Sequence, residues 1–187
     1  MDLAKAVADR MGAQVEFTDL PFDQLLKAVE EKKADMAISA ITVTDERKKQ
    51  VAFSDPYYKL SGYSVVVPKE NSSIRSEKDL KGKVVAAKRA STSEARLKDY
   101  EPSKILSMDH YADVFRAVES GQAQAGITGD QAAVYDLEHG GSDKLTIAGT
   151  IPTEDNFAIA MAKDNNKLRE EVNTALQEIM NDGTYDS

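Results

Sequence analysis

Val84-Val-Ala-Ala-Lys88, Thr92-Ser-Glu-Ala-Arg-Leu-Lys-Asp-Tyr100 and Ile105-Leu-Ser-Met108 make up the stretch on which the fold turns. The outer segments are apolar runs of strand length. The middle one has helix length and opens in the S-x-x-E form of a capping box, Ser91 to Glu94. The alternation continues with a helix over Tyr111–Ser120, a strand over Ala125–Thr128, a helix over Gln131–Glu138 and a strand over Leu145–Ala148. Gly140-Gly141 reads as a turn. Strands separated by helices imply an α/β architecture, a mainly parallel sheet flanked by helices.

Upstream, Leu3, Val7 and Met11 recur at helical spacing before Gly12, a common helix stop. Val15-Glu-Phe17 suits a short strand. Pro21 opens a helix whose stripe is Phe22, Leu25, Leu26 and Val29, and strands are expected at Met36–Ser39, Val51–Ser54 and Tyr63–Val67. Pro68 and the polar Lys69-Glu-Asn-Ser-Ser73 then mark a crossing into a second lobe, and Gly149-Thr-Ile-Pro152 marks a crossing back. A strand over Phe157–Ala162 and a helix carrying Leu168, Val172, Ala175, Leu176 and Ile179 complete the first lobe. The expected division is therefore residues 1–67 with 153–187, and 68–152, joined by a two-segment hinge beside a cleft.

Composition narrows the function. With 24 Lys+Arg against 32 Asp+Glu the net charge is −8, which repels nucleic acid. The lack of cysteine removes disulfides, thiolate nucleophiles and thiolate metal sites. No apolar run approaches the roughly 20 residues of a spanning helix, and Met1-Asp-Leu-Ala-Lys5 lacks the pattern of a signal sequence. His110 and His139 have no companion ligands and read as helix-end or solvent residues, so no metal or cofactor is expected.

Ser39-Ala-Ile-Thr-Val-Thr-Asp-Glu-Arg47 carries the chemistry. A strand end feeds a polar loop with two Thr hydroxyls and a guanidinium, a donor set suited to a small carboxylate. The bland alternatives are a surface ion pair of Arg47 with Asp45 or Asp55, and Thr44 as the cap of a helical turn from Asp45. Ser91 to Glu94 caps a helix whose start also suits an anion. Asp130 follows a strand and reads as the cap of the next helix, and Arg89 as surface charge.

Three segments at their spacing resemble the extracytoplasmic solute-binding proteins of polar amino acid ABC importers: Ile41–Tyr57, Leu80–Ala87 with Ser91–Glu94, and Asn181–Tyr185. The resemblance implies a two-lobed fold of the type II periplasmic-binding-protein kind. It implies that Arg47 clamps the ligand α-carboxylate, Thr42 adds hydroxyl and amide donors, and Ala40 adds backbone groups. Thr92 and then Ser91 close from the second lobe, Asp130 pairs with the ligand ammonium, and Arg89 lies beside the loop that meets the ligand side chain. A cation there implies Glu, Asp or Gln ahead of a basic amino acid. The implied partner is a membrane permease and the implied location is the periplasm or the cell surface as a lipoprotein, with the signal sequence absent from this chain. Family members carry a strand and loop before the first helix, so the first lobe is expected to be incomplete and completed by a domain swap or strand-sharing homodimer. The alternatives on this scaffold are a cyclohexadienyl-dehydratase-like enzyme, using Asp130 or Glu94, and a sensory ligand-binding module.

Overall fold

The computed structural model describes residues 2–71, 73–139 and 143–186; the turn expected at Gly140-Gly141 lies outside them. In chain order come α1 (Asp2–Met11), α2 (Leu25–Glu30) after a 3-10 turn at Phe22–Gln24, β1 (Met36–Ala37), α3 (Asp45–Gln50), β2 (Ala52–Phe53), β3 (Tyr58–Lys59) and β4 (Gly62–Pro68). Next are β5 (Val84–Lys88), α4 (Thr92–Leu97), β6 (Lys104–Met108), α5 (Tyr111–Glu119), β7 (Ala125–Gly129), α6 (Asp130–Glu138) and β8 (Leu145–Pro152). The chain closes with β9 (Asn156–Phe157), β10 (Ala160–Met161) and α7 (Asn166–Asn181). Two compact units result, Met1–Lys59 with Asn156–Ser187, and Leu60–Asp155. The crossings thus fall at Lys59–Leu60 and Asp155–Asn156, where the sequence reading had Val67–Pro68 and Pro152–Thr153, because β4 and β8 belong wholly to the sheet of the second unit.

In the first unit a sheet of order β1-β10-β2 and the pair β3-β9 are antiparallel throughout. Val172, Ala175, Leu176 and Ile179 stand at i, i+3, i+4 and i+7 on α7 and bury one face against Val7 of α1, Ile159 and Met161. The Asn165 carboxamide caps that helix, accepting from the Leu168 N–H at 3.3 Å. A second cluster joins Val29, Ala37, Ile41, Val51 and Ala160. The single strand expected over Phe157–Ala162 is two pieces. Between them Ile159 bonds Ser54 in both directions, its O accepting from Ser54 N at 2.9 Å and its N–H donating to Ser54 Oγ at 3.0 Å. Val15–Phe17 forms no strand and joins no ladder, and Phe17 is 47% exposed, so burial gives the segment no reason to pair.

In the second unit the five-stranded sheet has order β6-β5-β7-β4-β8. β5 runs parallel to β6 and β7, whereas β4 is antiparallel to both β7 and β8. The sheets are therefore mixed or antiparallel rather than mainly parallel. The reason is connectivity: the chain enters by β4 and leaves by β8 at one sheet edge, pairing Gly62 with Pro152, and this forces the two strands to run oppositely. Val66, Ala86, Val114, Phe115, Val118 and Leu145 form the core.

Leu176 is 1% exposed, so Leu176→Ala is expected to cost about 2–5 kcal/mol in urea unfolding. Arg10 of α1 meets Asp182, just past α7, at 2.7 Å. The hydroxyl and N–H of Thr184, then Arg10, hold the Asp182 carboxyl down at about 2 against an ordinary 3.8. A depressed folded value means the contribution is present at neutral pH and fades as pH falls through that window. Asp182→Asn is expected to flatten the acid limb of stability between about pH 4 and pH 2, with wild type and variant converging at the lower end.

Candidate functional site

In the first unit the sequence Ala40–Val51 is pinned at both ends, since Ile41 and Val51 are each 1% exposed in one core cluster. Ala40 adopts φ 50°, a left-handed turn that lets the chain leave β1 and run back along β9. Thr42 then bridges Phe157 and the Val43 N–H donates to Asn156 O at 2.9 Å. Thr44 is the cap of α3, its hydroxyl accepting from the Arg47 N–H at 3.1 Å. The Arg47 O accepts from Val51 N at 3.0 Å, which fixes the residue's backbone from the other side.

The Arg47 side chain is held as firmly. One guanidinium N–H donates to Thr42 O at 2.9 Å, and the guanidinium lies 5.5 Å from the centre of the Phe22 ring. Asp45, one of the two expected surface partners, pairs with Lys48 at 3.4 Å. Arg47, Thr42 and Ala40 therefore share one short loop, with Thr42 buried at 2% exposure. Tyr57 adds a further member to this loop's surroundings. Burial pushes its hydroxyl up to about 12, an Ala40 backbone bond pulls slightly the other way, and the phenol stays neutral at any physiological pH.

In the second unit the parallel strands β5 and β7 both end at the edge where β4 begins, with Tyr63 opposite Gly129. Thr92 opens α4 after β5, and Asp130 opens α6 after β7. Loops beyond the carboxyl ends of parallel strands are where α/β sheets place ligand-binding groups. Gly129 is the cap of α6, so Asp130 is its first helical residue rather than the cap: one carboxylate oxygen accepts from the Gln131 N–H at 2.8 Å, the other from the Ser61 hydroxyl.

Ser91 is 6% exposed and works within its own turn, donating to Lys88 O at 2.6 Å and accepting from the Glu94 N–H at 3.2 Å. Glu94 reaches back to the Ala90 N–H at 2.7 Å, one residue before the expected return bond of a capping box, and also accepts from Ser107. A cavity of about 490 Å³ opens on this flank of α4, among Ser91, Glu94, Lys98 and Ser107. Thr92 and Arg96 lie one turn apart on a different face of the helix. Arg89 turns along β6, donating to Asp109 at 2.9 Å and to Ser107 O at 3.3 Å.

A polar cluster unforeseen from sequence completes this edge. Arg96 donates to Thr153 at 2.9 Å and to Asp155 at 3.0 Å, and its guanidinium lies 4.8 Å from the centre of the Tyr63 ring. Burial acts to raise the Asp155 carboxyl, but bonds from Tyr63, Arg96 and Thr153 outweigh it and hold the group below its ordinary value. Burial and the Asp155 bond push the Tyr63 hydroxyl up. The signal in sequence was a tyrosine near the start of the strand, and it pointed equally to packing. His110 and His139 stand at the start of α5 and the end of α6, as expected. Among the described residues no group of three metal-ligating side chains occurs, and no helix is long and apolar enough to cross a membrane.

Comparison with known proteins agrees with this layout. The profile of bacterial extracellular solute-binding proteins, family 3, matches residues 1–187. The ABC transporter arginine-binding protein 1 of Escherichia coli K12 is 35% identical over 99% of this chain and 76% of its own length. The ABC transporter glutamine-binding protein GlnH of Bacillus subtilis 168 is 32% identical over 100% of this chain and 68% of its own. A solved ancestral arginine-binding protein bound to arginine superposes with a TM-score of 0.92 at 39% identity, covering 99% of this chain and 83% of that one. The chain belongs to the bacterial extracellular solute-binding proteins of family 3.

Proposed function

We propose that this protein binds a polar L-amino acid outside the cytoplasm, without turnover, and delivers it to the membrane permease of an ABC importer. The observation that carries the reading is Arg47, whose backbone is fixed by Thr44 and Val51 and whose guanidinium is oriented by Thr42 O. A guanidinium positioned before the ligand arrives loses little side-chain entropy on gripping a carboxylate. Residues of the first unit, Arg47 with Thr42 and the Ala40 backbone, supply the carboxylate-binding half. Asp130 and Thr92 of the second unit supply the amine-binding half, and Ser91 shapes the turn that carries Thr92.

For the ligand side chain we infer a basic or amide group, arginine first and glutamine next. The ground for an acidic ligand was the charge of Arg89, and that charge is engaged by Asp109. Relatives named for binding arginine and glutamine support the same order.

Calorimetry with L-arginine, L-glutamine and L-glutamate tests the reading. Arg47→Ala and Asp130→Asn are each expected to weaken the preferred ligand about ten- to a hundredfold, the worth of a hydrogen-bonded charge. Unchanged affinity in Arg47→Ala would overturn the carboxylate role, and glutamate binding tighter than arginine would overturn the specificity.

A further inference from the structure

Ser61 belongs to no strand and sits between Lys59, the end of β3, and Gly62, the start of β4. On one side of it Lys59 pairs with Asn156, and the Leu60 N–H donates to Asp155 O at 2.9 Å. On the other side Gly62 pairs with Pro152. Thr153 and Glu154 therefore stand against Ser61 alone, two residues facing one, which is the count of a β-bulge. Bulges re-aim the side chains beside them. The wide side of this one is pinned, since the Thr153 hydroxyl accepts from Arg96 at 2.9 Å and from the Asp155 N–H at 3.3 Å. Ser61 turns to the other neighbour of β4. The ladder between β4 and β7 ends with Tyr63 opposite Gly129, so Ser61 and Asp130 lie just past its end, and the Ser61 hydroxyl donates to Asp130 Oδ2. Asp130 Oδ1 accepts from the Gln131 N–H at 2.8 Å. A single bond from the adjoining residue leaves a carboxylate free to turn about it. A second bond, to the other oxygen and from a distant part of the chain, removes that freedom, and each oxygen keeps a lone pair for a further N–H donor.

We propose that Ser61 is a positioning residue for ligand binding: its hydroxyl holds the Asp130 carboxylate in the orientation that receives the ligand's α-ammonium. The inference rests on the function proposed above, which gives the ammonium to Asp130, and deepens it by placing a determinant of amine affinity one residue beyond the chain crossing at Lys59–Leu60. Ser61 acts through Asp130, so the loss on removing its hydroxyl is confined to ligands that carry the amine.

The experiment is calorimetry on the full chain with L-arginine and with desamino-arginine, which keeps the guanidinium and the carboxylate but lacks the α-amine, and thermal melts confirm folding. Ser61→Ala is expected to weaken arginine about three- to tenfold, the loss of one hydrogen bond, and Ser61→Thr, which keeps the hydroxyl, to stay within about twofold of wild type. For desamino-arginine, wild type and Ser61→Ala are expected to agree within about twofold. On top of Asp130→Ala, which removes the group that Ser61 orients, Ser61→Ala is expected to cost arginine less than about twofold. An arginine affinity unchanged in Ser61→Ala overturns the proposal. So does a cost that is equal for the two ligands, or equal with and without Asp130, since either shows Ser61 serving the fold alone. If one of these comparisons binds too weakly to measure, the other decides. Should the wild-type protein bind no amino acid, the proposed function fails. The Ser61 contact is then read separately from the Asp130 carboxyl carbon by NMR, which is expected to shift in Ser61→Ala and to return in Ser61→Thr; an unmoved resonance overturns it.

Discussion

The close approach of β4 and β8, where the chain enters and leaves the second unit, is the constraint on which that unit's architecture depends. Gly62 faces Pro152, and a Cβ at Gly62 would run into the Thr150 side chain and come within 2.8 Å of the Ile151 carbonyl oxygen, so only glycine fits without displacing backbone. Because the chain enters by β4 and leaves by β8 through this one edge, β4 must oppose β8 in direction. That edge is also where β5 and β7 end. Entry, exit and the loops carrying Thr92 and Asp130 are thus gathered by one topological requirement.

The two units handle charge in different ways. In the first, Arg47 donates to the Thr42 carbonyl and lies against the Phe22 ring. In the second, Arg96 pairs with Asp155 at 3.0 Å. The same residue type lies against an aromatic ring in both places, Phe22 for Arg47 and Tyr63 for Arg96, but is held by a backbone carbonyl in one and by a carboxylate in the other. Burial acts against the charge of Asp155, and its bonds to Tyr63, Arg96 and Thr153 outweigh that effect.

Local patterns were largely legible. The strand over Val84–Lys88, the Thr44 cap and the apolar face of the last helix come from residue type and spacing, because each is set by neighbours within a few positions. Strand direction was not legible: an apolar run carries no mark of whether its partner is parallel, and the alternation of helices suggested more parallel pairing than exists. Val15–Phe17 failed for a related reason, since three residues of suitable type make a strand only beside a partner.

Of the candidate site, the sequence by itself determined the Arg47 loop, because Thr42, Thr44 and Arg47 act on one another across five residues of chain. Only the tertiary structure decided the rest. Thr92 and Asp155 are separated from Tyr63 by 29 and 92 residues along the chain and meet it through strand register. The charge of Arg89 was legible too, but its meaning was not, since Asp109 stands 20 residues away and reaches it only after β6 lies beside β5. A side chain's identity is written locally, whereas its proton, its partner and its net charge depend on what the sheet brings next to it.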